Sequence, residues 1–249
     1  MPLPQELTTA LAAVAAAPRL LVATDFDGVL APFVVDPMDS RAQPGTLEAL
    51  TALAAAPATW SAVVSGRDLA TLDELTGLAG STVTRIGSHG AQSSRGGDLP
   101  EGTAVAIAAL RGAVEAAVAA REPRIRLEHK PAAVVLHTRG LPDDVLPRAA
   151  AIADEAAATP GVTHLAGKGV HELSVLRADK GTALRELASA LGVDATVYLG
   201  DDVTDEHAFA VLGEGDLGIK VGAGETAASA RVDDATAVPE ILATLASLR

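Results

Sequence analysis

Two aspartates separated by one phenylalanine end an apolar run in LLVATDFDGVLAP, residues 20–32. Residues two apart in an extended chain project to the same side, so Asp25 and Asp27 would share one side of a strand tip. Carboxylates that close repel, and one pKa rises unless a cation sits between or beside them. Mg2+ suits such a pair because it is hard, prefers oxygen and keeps several waters. Gly28 lets the chain turn away without a Cβ. The chemistry these residues could support is phosphoryl transfer. From this stretch alone, a loop of solvated aspartates after a buried strand is the plainer alternative.

A second apolar run ends the same way. YLGDDVTDEHAF, residues 198–209, carries Asp201 and Asp202 at a strand end, with Asp205 and Glu206 across a turn. Thr204 is placed to cap the following helix, and Asp205 and Glu206 suit its first turn. That capping role leaves Asp201 and Asp202 unexplained, and one metal site shared by two strand tips is more economical than two unrelated acidic loops. VVSGRD (63–68) ends a third strand in Ser65 and Gly66, whose hydroxyl and amides could hold phosphate oxygens, although most Ser-Gly pairs are turns. ADKGTALREL places Lys180 at a helix start, where a cation opposes the helix dipole. The placement suggests a task, such as balancing aspartate and phosphate charge; a solvated surface lysine is the alternative.

The elements that must position these residues alternate along the chain. Strand-like runs at 19–24, 59–65, 81–87, 195–200 and 217–222 are interleaved with helical runs at 45–56, 69–78, 180–191 and 204–212. That order predicts an α/β fold with a Rossmann-like parallel sheet, helices on both faces and ligands at the carboxyl ends of the strands. The middle differs: a long Ala-rich helix (104–121), two strand-like runs joined at Pro131, a helix around 143–158, then GVTHLAG and GVHELSV. It reads as a smaller α+β cap domain inserted over residues 95–176, between core segments 1–94 and 177–249.

Composition narrows the function. Of 249 residues, 49% are hydrophobic but only 2% aromatic, so Ala, Val and Leu must fill the core and few rings can stack on bases. No cysteine is present, which excludes disulfides, thiolate zinc sites and a cysteine nucleophile. The net charge of −13 argues against nucleic-acid partners and requires any phosphate site to rely on a metal ion and nearby cations. No run of about 18 apolar residues and no leader is expected, which predicts a cytoplasmic protein without membrane contact. Oligomeric state is not legible; a monomer is favoured.

DFDGVL, VSG, DKG and GDDVTDE, in this order and each at a strand end or helix start, resemble the four motifs of the haloacid-dehalogenase-like phosphohydrolases. The resemblance implies that Asp25 is the phosphoryl-accepting nucleophile and Asp27 the general acid/base. It makes Ser65 the phosphate-binding hydroxyl, with Gly66 and Arg67 beside it, and Lys180 the charge-balancing cation. It further implies that Asp25, Asp27, Asp201 and Asp205 serve a Mg2+ cofactor. Val29 departs from the threonine usual after the motif glycine.

GSHGAQ (87–92), Glu128-x-Lys130, His137-x-Arg139 and Gly167-Lys168 followed by Glu172 are similar to the trehalose-6-phosphate phosphatase subfamily. That resemblance covers nearly the whole chain. It implies a small-molecule sugar phosphate as substrate, contacted from the cap by Glu128, Lys130, Arg139, Lys168 and Glu172, with cap closure during turnover. Charged pairs on strands are also common as solvent-facing ladder partners. His89 either lines the cleft or bonds neighbouring backbone. Gln92 replaces a usual Glu, and GKGVHELSV lacks the common second Lys and a following Arg-Pro. A phosphatase for sucrose or mannosylglycerate phosphate, a phosphomutase and a degenerate sugar-sensing domain are the competing functions.

Overall fold

A computed structural model of the chain describes residues 3–96, 102–167, 169–176 and 179–249. The chain divides into two compact units, Met1–Gly96 with Ala178–Arg249, and Gly97–Arg177.

The first unit opens with α1 (Gln5–Ala15) and β1 (Leu20–Thr24), followed by α2 (Thr46–Ala55), β2 (Thr59–Val64), α3 (Leu69–Thr76), β3 (Thr84–Gly87) and the short β4 (Gln92–Ser93). The second unit contributes α4 (Thr103–Arg121), β5 (Arg126–Lys130), β6 (Ala133–His137), α5 (Leu146–Ala157), β7 (Thr163–Gly167) and β8 (Val170–Ser174). The chain then returns to the first unit through α6 (Lys180–Leu191), β9 (Ala195–Gly200), α7 (Asp205–Phe209), β10 (Leu217–Val221), β11 (Ala230–Val232) and α8 (Val238–Leu248).

In the first unit the strands form one sheet in the order β11-β10-β9-β1-β2-β3-β4, parallel throughout except for the β3–β4 pair. β1 is buried along its whole length, and its alternation feeds two cores. Leu20 and Val22 pack with α1, α2 and α8 on one face, whereas Leu21 and Ala23 pack with α6 and α7 on the other. Complete burial of a leucine or valine side chain contributes about 1.5–3 kcal/mol, so two aliphatic layers suffice where aromatics are scarce. From β1 the chain steps to β2 on one side and later reaches β9 on the other. β1 therefore lies at the point where the strand order reverses, and its carboxyl end opens into a crevice.

The second unit is a four-stranded antiparallel sheet, β5-β6-β8-β7, with α4 and α5 packed on one face. Ile107, Leu110, Val114 and Val118 recur at helical spacing along α4 and meet Val134, Leu136 and Leu173 of the sheet. By length and composition α4 is long and apolar enough to cross a membrane, although Arg111 and Glu115 interrupt its apolar run. Nine of its 19 residues are alanine, and Ile107, Leu110, Val114 and Val118 form the stripe that this sheet covers.

Candidate active site

Asp25 follows the last residue of β1, and its N–H donates to Leu199 O of β9 at 2.9 Å, which fixes the tip between two strands. Its side chain is buried, with Oδ1 accepting from Phe26 N–H at 2.7 Å and Oδ2 lying 2.8 Å from Lys180 Nζ. Burial drives the Asp25 pKa up, and the Lys180 charge opposes that rise without cancelling it. The chain then turns tightly: Ala31 N–H donates to Phe26 O, and Gly28 N–H to Ala31 O. Gly28 has φ of +81°, and a Cβ there would lie 2.2 Å from Asp201 Oδ2. The tips of β1 and β9 thus converge closely enough that only glycine fits between them. Val29, which stands where the resembled family has threonine, is buried in the core.

Asp25 pairs with Lys180, and Asp27 pairs with Arg67. Arg67 donates from Nε to Asp27 Oδ2 and from Nη2 to Asp27 Oδ1, both at 2.7 Å, and Ser40 Oγ adds a 3.2 Å bond to Oδ1. Ser65 is buried at the end of β2, and its Oγ accepts from Arg67 N–H at 3.1 Å. A Cβ on Gly66 would lie 2.5 Å from His89 Cε1, so glycine admits the imidazole at this position. His89 and Ser88 adopt positive φ of 54° and 50° without being glycine, and His89 N–H donates to Ser65 O at 2.9 Å. Gln92 accepts from Leu69 N–H at the start of α3 and from Ser88 Oγ, which is work an amide oxygen does as well as a carboxylate. Asp25, Asp27, Gly66, Arg67, His89, Lys180 and Asp202 face one cleft of about 400 Å³. Phe33, Val34 and Pro37 complete its wall, although nothing in the sequence marked them.

The β9 tip supplies the remaining charges. Asp205 is buried and saturated: Oδ1 accepts from Lys180 Nζ at 2.9 Å and from Tyr198 Oη at 2.7 Å, and Oδ2 from the N–H groups of Asp201 and Asp202. Four donors occupy the four acceptor positions of a carboxylate. Tyr198 was not anticipated, and its signal was slight: the single tyrosine of the chain stands three residues before Asp201. Thr204 does not cap α7 as expected. Asp202 Oδ1 accepts from Thr204 N–H, Thr204 Oγ1 and Asp205 N–H instead, because it lies one turn earlier and reaches the free amides. Lys180 does begin α6, capped by Asp179, which accepts from Thr182 N–H.

Charge is unbalanced here. Asp25, Asp202 and Asp205 lie within 4.0 Å of Lys180 Nζ, three carboxylates against one ammonium. Burial would lower the Lys180 pKa, but Asp25, Asp205 and Asp202 together raise it. Asp201 is pushed up to about 7 by burial and by the charges of Asp205 and Asp202. Burial also acts to raise Asp202, yet Lys180 and the Thr204 donors bring it below its ordinary value. Asp201 Oδ1 is buried without a hydrogen-bond partner, and such an orphan acceptor calls for a cation or donor. Carboxylate oxygens of Asp25, Asp202 and Asp205 lie within 4.8 Å of one another, so an acidic cluster of metal-binding character exists at the tips. An oxygen-only donor set of this kind fits a hard divalent ion. Asp27, bound to Arg67, and Asp201 are not in that triplet, whereas Asp202 is.

Of the polar residues predicted for sugar contact, Glu128, Lys130 and Glu172 gather on one sheet face of the second unit. Glu128, Val135 and Glu172 are cross-strand neighbours, which places them on the sheet face turned away from α4 and α5. Lys130 Nζ lies 2.8 Å from Glu172 Oε2, and His137 Nε2 lies 2.7 Å from Glu128 Oε2. Arg139 follows β6, with its N–H donating to Gly169 O at 3.1 Å. Lys168 lies outside the described residues.

The reversed strand order at β1 and the acids on two adjoining tips define an α/β core of the haloacid-dehalogenase-like class. The trehalose-phosphatase family matches residues 23–238. The chain belongs to that family. Trehalose-phosphate phosphatase of Mycobacterium marinum is 34% identical over 250 residues, covering 92% of this chain and 62% of the relative. The enzyme of Mycobacterium tuberculosis is 36% identical over 204 residues, covering 76% of this chain and 50% of the relative. The chain therefore spans at most 62% of the length of these relatives. Among solved structures, the C-terminal domain of Candida albicans trehalose-6-phosphate phosphatase shares the fold, with a TM-score of 0.76 at 22% identity and coverage of 98% and 97% of the two chains. A trehalose-6-phosphate phosphatase related protein has a TM-score of 0.73 at 29% identity, covering 92% of this chain and 97% of its own.

Proposed function

We propose that this chain is a Mg2+-dependent phosphatase that hydrolyses trehalose 6-phosphate to trehalose and phosphate. The observation that carries the proposal is the buried Asp25 carboxylate at the β1 tip, 2.8 Å from Lys180, in a chain of the trehalose-phosphatase family. An Asp25 oxygen attacks phosphorus while the bond from phosphorus to the sugar oxygen breaks, which divides hydrolysis into two easier steps through an aspartyl-phosphate. Asp27 gives a proton to the departing sugar oxygen. It then takes one from the water that attacks the phosphoenzyme and releases the Asp25 carboxylate. Lys180 and Arg67 offset charge on the phosphoryl oxygens, and Ser65 with Gly66 orients them. Asp25, Asp201 and Asp202 are the groups proposed to hold the ion, with Asp205 orienting them and Asp27 kept for proton transfer. When bound, the ion supplies further positive charge against the phosphate oxygens.

In the second unit, Glu128, Lys130, Arg139 and Glu172, with Lys168, are proposed to recognise the disaccharide, since sugar hydroxyls both donate and accept. The test is phosphate release across a panel of trehalose, sucrose, glucose and mannosylglycerate phosphates with Mg2+ present. A kcat/KM for trehalose 6-phosphate at least about tenfold above the others is expected. Equal or greater release from another ester, with none from trehalose 6-phosphate, would overturn the substrate assignment. Asp25→Asn should lower kcat by about a thousandfold or more with an unchanged circular dichroism spectrum; retained turnover would remove Asp25 from its role.

A further inference from the structure

Lys180 and Arg67 face the same cleft but are held differently. Lys180 is buried between two buried carboxylates, Asp25 and Asp205. Arg67 lies at the wall, its side chain 13% exposed, and its partner Asp27 is 30% exposed. The Nε–Nη2 edge of Arg67 is the edge that grips a planar carboxylate or a phosphate with two parallel bonds, and Asp27 occupies it with both oxygens. A phosphate cannot take that edge while Asp27 keeps it. Two further contacts would outlast a separation of the pair. The guanidinium rests over the ring of Phe26 at 5.6 Å, and Phe26 is itself buried. Ser40 Oγ holds Asp27 from the other side at 3.2 Å.

We propose that Arg67 is an exchangeable anion clamp: its fork is stored on Asp27 and passes to an entering phosphate group, freeing both oxygens of Asp27. This rests on the proposal that a phosphate ester enters this cleft. The exchange is a swap of ion-pair partners in which no covalent bond changes. Opening the pair costs part of the phosphate affinity, and the bidentate match restores it only for an anion with two oxygens set like those of a carboxylate. Anion entry would thereby be coupled to the release of Asp27 for the proton work assigned to it above. Arg67 is in this sense both a binding residue and a positioning residue for Asp27.

The experiment is calorimetric titration of inorganic phosphate into four Mg2+-loaded proteins: wild type, Asp27→Asn, Arg67→Met and the double variant. Asp27→Asn should tighten phosphate binding by about fivefold or more in the wild-type background, because the guanidinium no longer has to leave a carboxylate. In the Arg67→Met background the same substitution should change affinity by less than about twofold. An equal gain in both backgrounds would mean that Asp27 acts only as a repelling charge, and it would overturn the exchange while leaving the phosphate site intact. Phosphate binding to none of the four proteins would instead overturn the phosphate-cleft proposal, and the clamp with it. A measurement without substitution guards against misfolded variants: the Arg67 Nε–H resonance of the wild-type protein should shift in step with phosphate saturation. A resonance that stays in place while phosphate binds elsewhere in the cleft would also overturn the clamp.

Discussion

Lys180 is buried among the acids of the strand tips, and that burial makes its charge expensive to lose. Removing one partner of a buried ion pair typically costs about 3–5 kcal/mol, because the other charge is left uncompensated. Lys180→Met leaves Asp25 and Asp205 buried together without their shared cation. It should destabilise the metal-free protein by about that amount, as read by urea denaturation, and part of the loss should return when Mg2+ is added. Gly28 is the opposite case, a residue valued for what it lacks. Gly28→Ala adds a methyl group 2.2 Å from Asp201 Oδ2 at a φ of +81°. The conformational penalty alone is about 1–2 kcal/mol, and Asp201 would have to move as well. A fall in melting temperature together with weaker Mg2+ binding is the expected result; an unperturbed protein would show that the tips are not tightly packed there.

At the scale of elements, short connections place the chemistry. α6 begins at Lys180 because Asp179 caps it, and α7 begins where Asp202 accepts the amides of Thr204 and Asp205. A comparable charged joint sits in the second unit, where Glu122 ends α4. Glu122 accepts from Arg124 through both oxygens and from Arg148 of α5 at 2.7 Å. The Arg124 bonds, opposed by burial and reinforced by Arg148, lower the Glu122 pKa from 4.5 to about 2. The sign follows from proton binding: between these values the unfolded chain takes up a proton that the folded one does not. The stabilisation is therefore complete above pH 4.5 and is lost as pH falls towards about 2. Glu122→Gln should be less stable than wild type at pH 7, and the two melting temperatures should converge as pH falls through that window. A difference that does not change with pH would show that Glu122 acts through packing alone.

For the molecule as a whole, the net charge of −13 and the acid-rich tips make cation binding a stabilising event. A ligand that binds only the folded state at one hundred times its Kd adds about 2.7 kcal/mol. Mg2+ should therefore raise the melting temperature near neutral pH, with chelation reversing the rise. Asp202→Asn and Asp25→Asn should each reduce the shift, whereas Asp154→Asn in the second unit should leave it unchanged. A melting temperature indifferent to Mg2+ would argue that the acidic cluster does not hold the ion.

The order of strands and helices was readable because buried parallel strands are short apolar runs and their helices carry a distinct period, so β1, β2, β9 and α6 fall where the residues place them. α8 and β11 left weaker signals, since their burial depends on partners far away in the chain. The candidate acids were readable too, as residues at strand ends. Which acid meets which cation was not. The pairing of Asp25 with Lys180 and of Asp27 with Arg67, the turning of Asp205 onto Tyr198 and two amides, and the inclusion of Asp202 in the acidic cluster all depend on neighbouring strand tips and the helices behind them. Residue type and position along the chain determine which groups are available for chemistry. Only the packed structure decides their charge partners, because those contacts join segments up to 155 residues apart, as between Asp25 and Lys180.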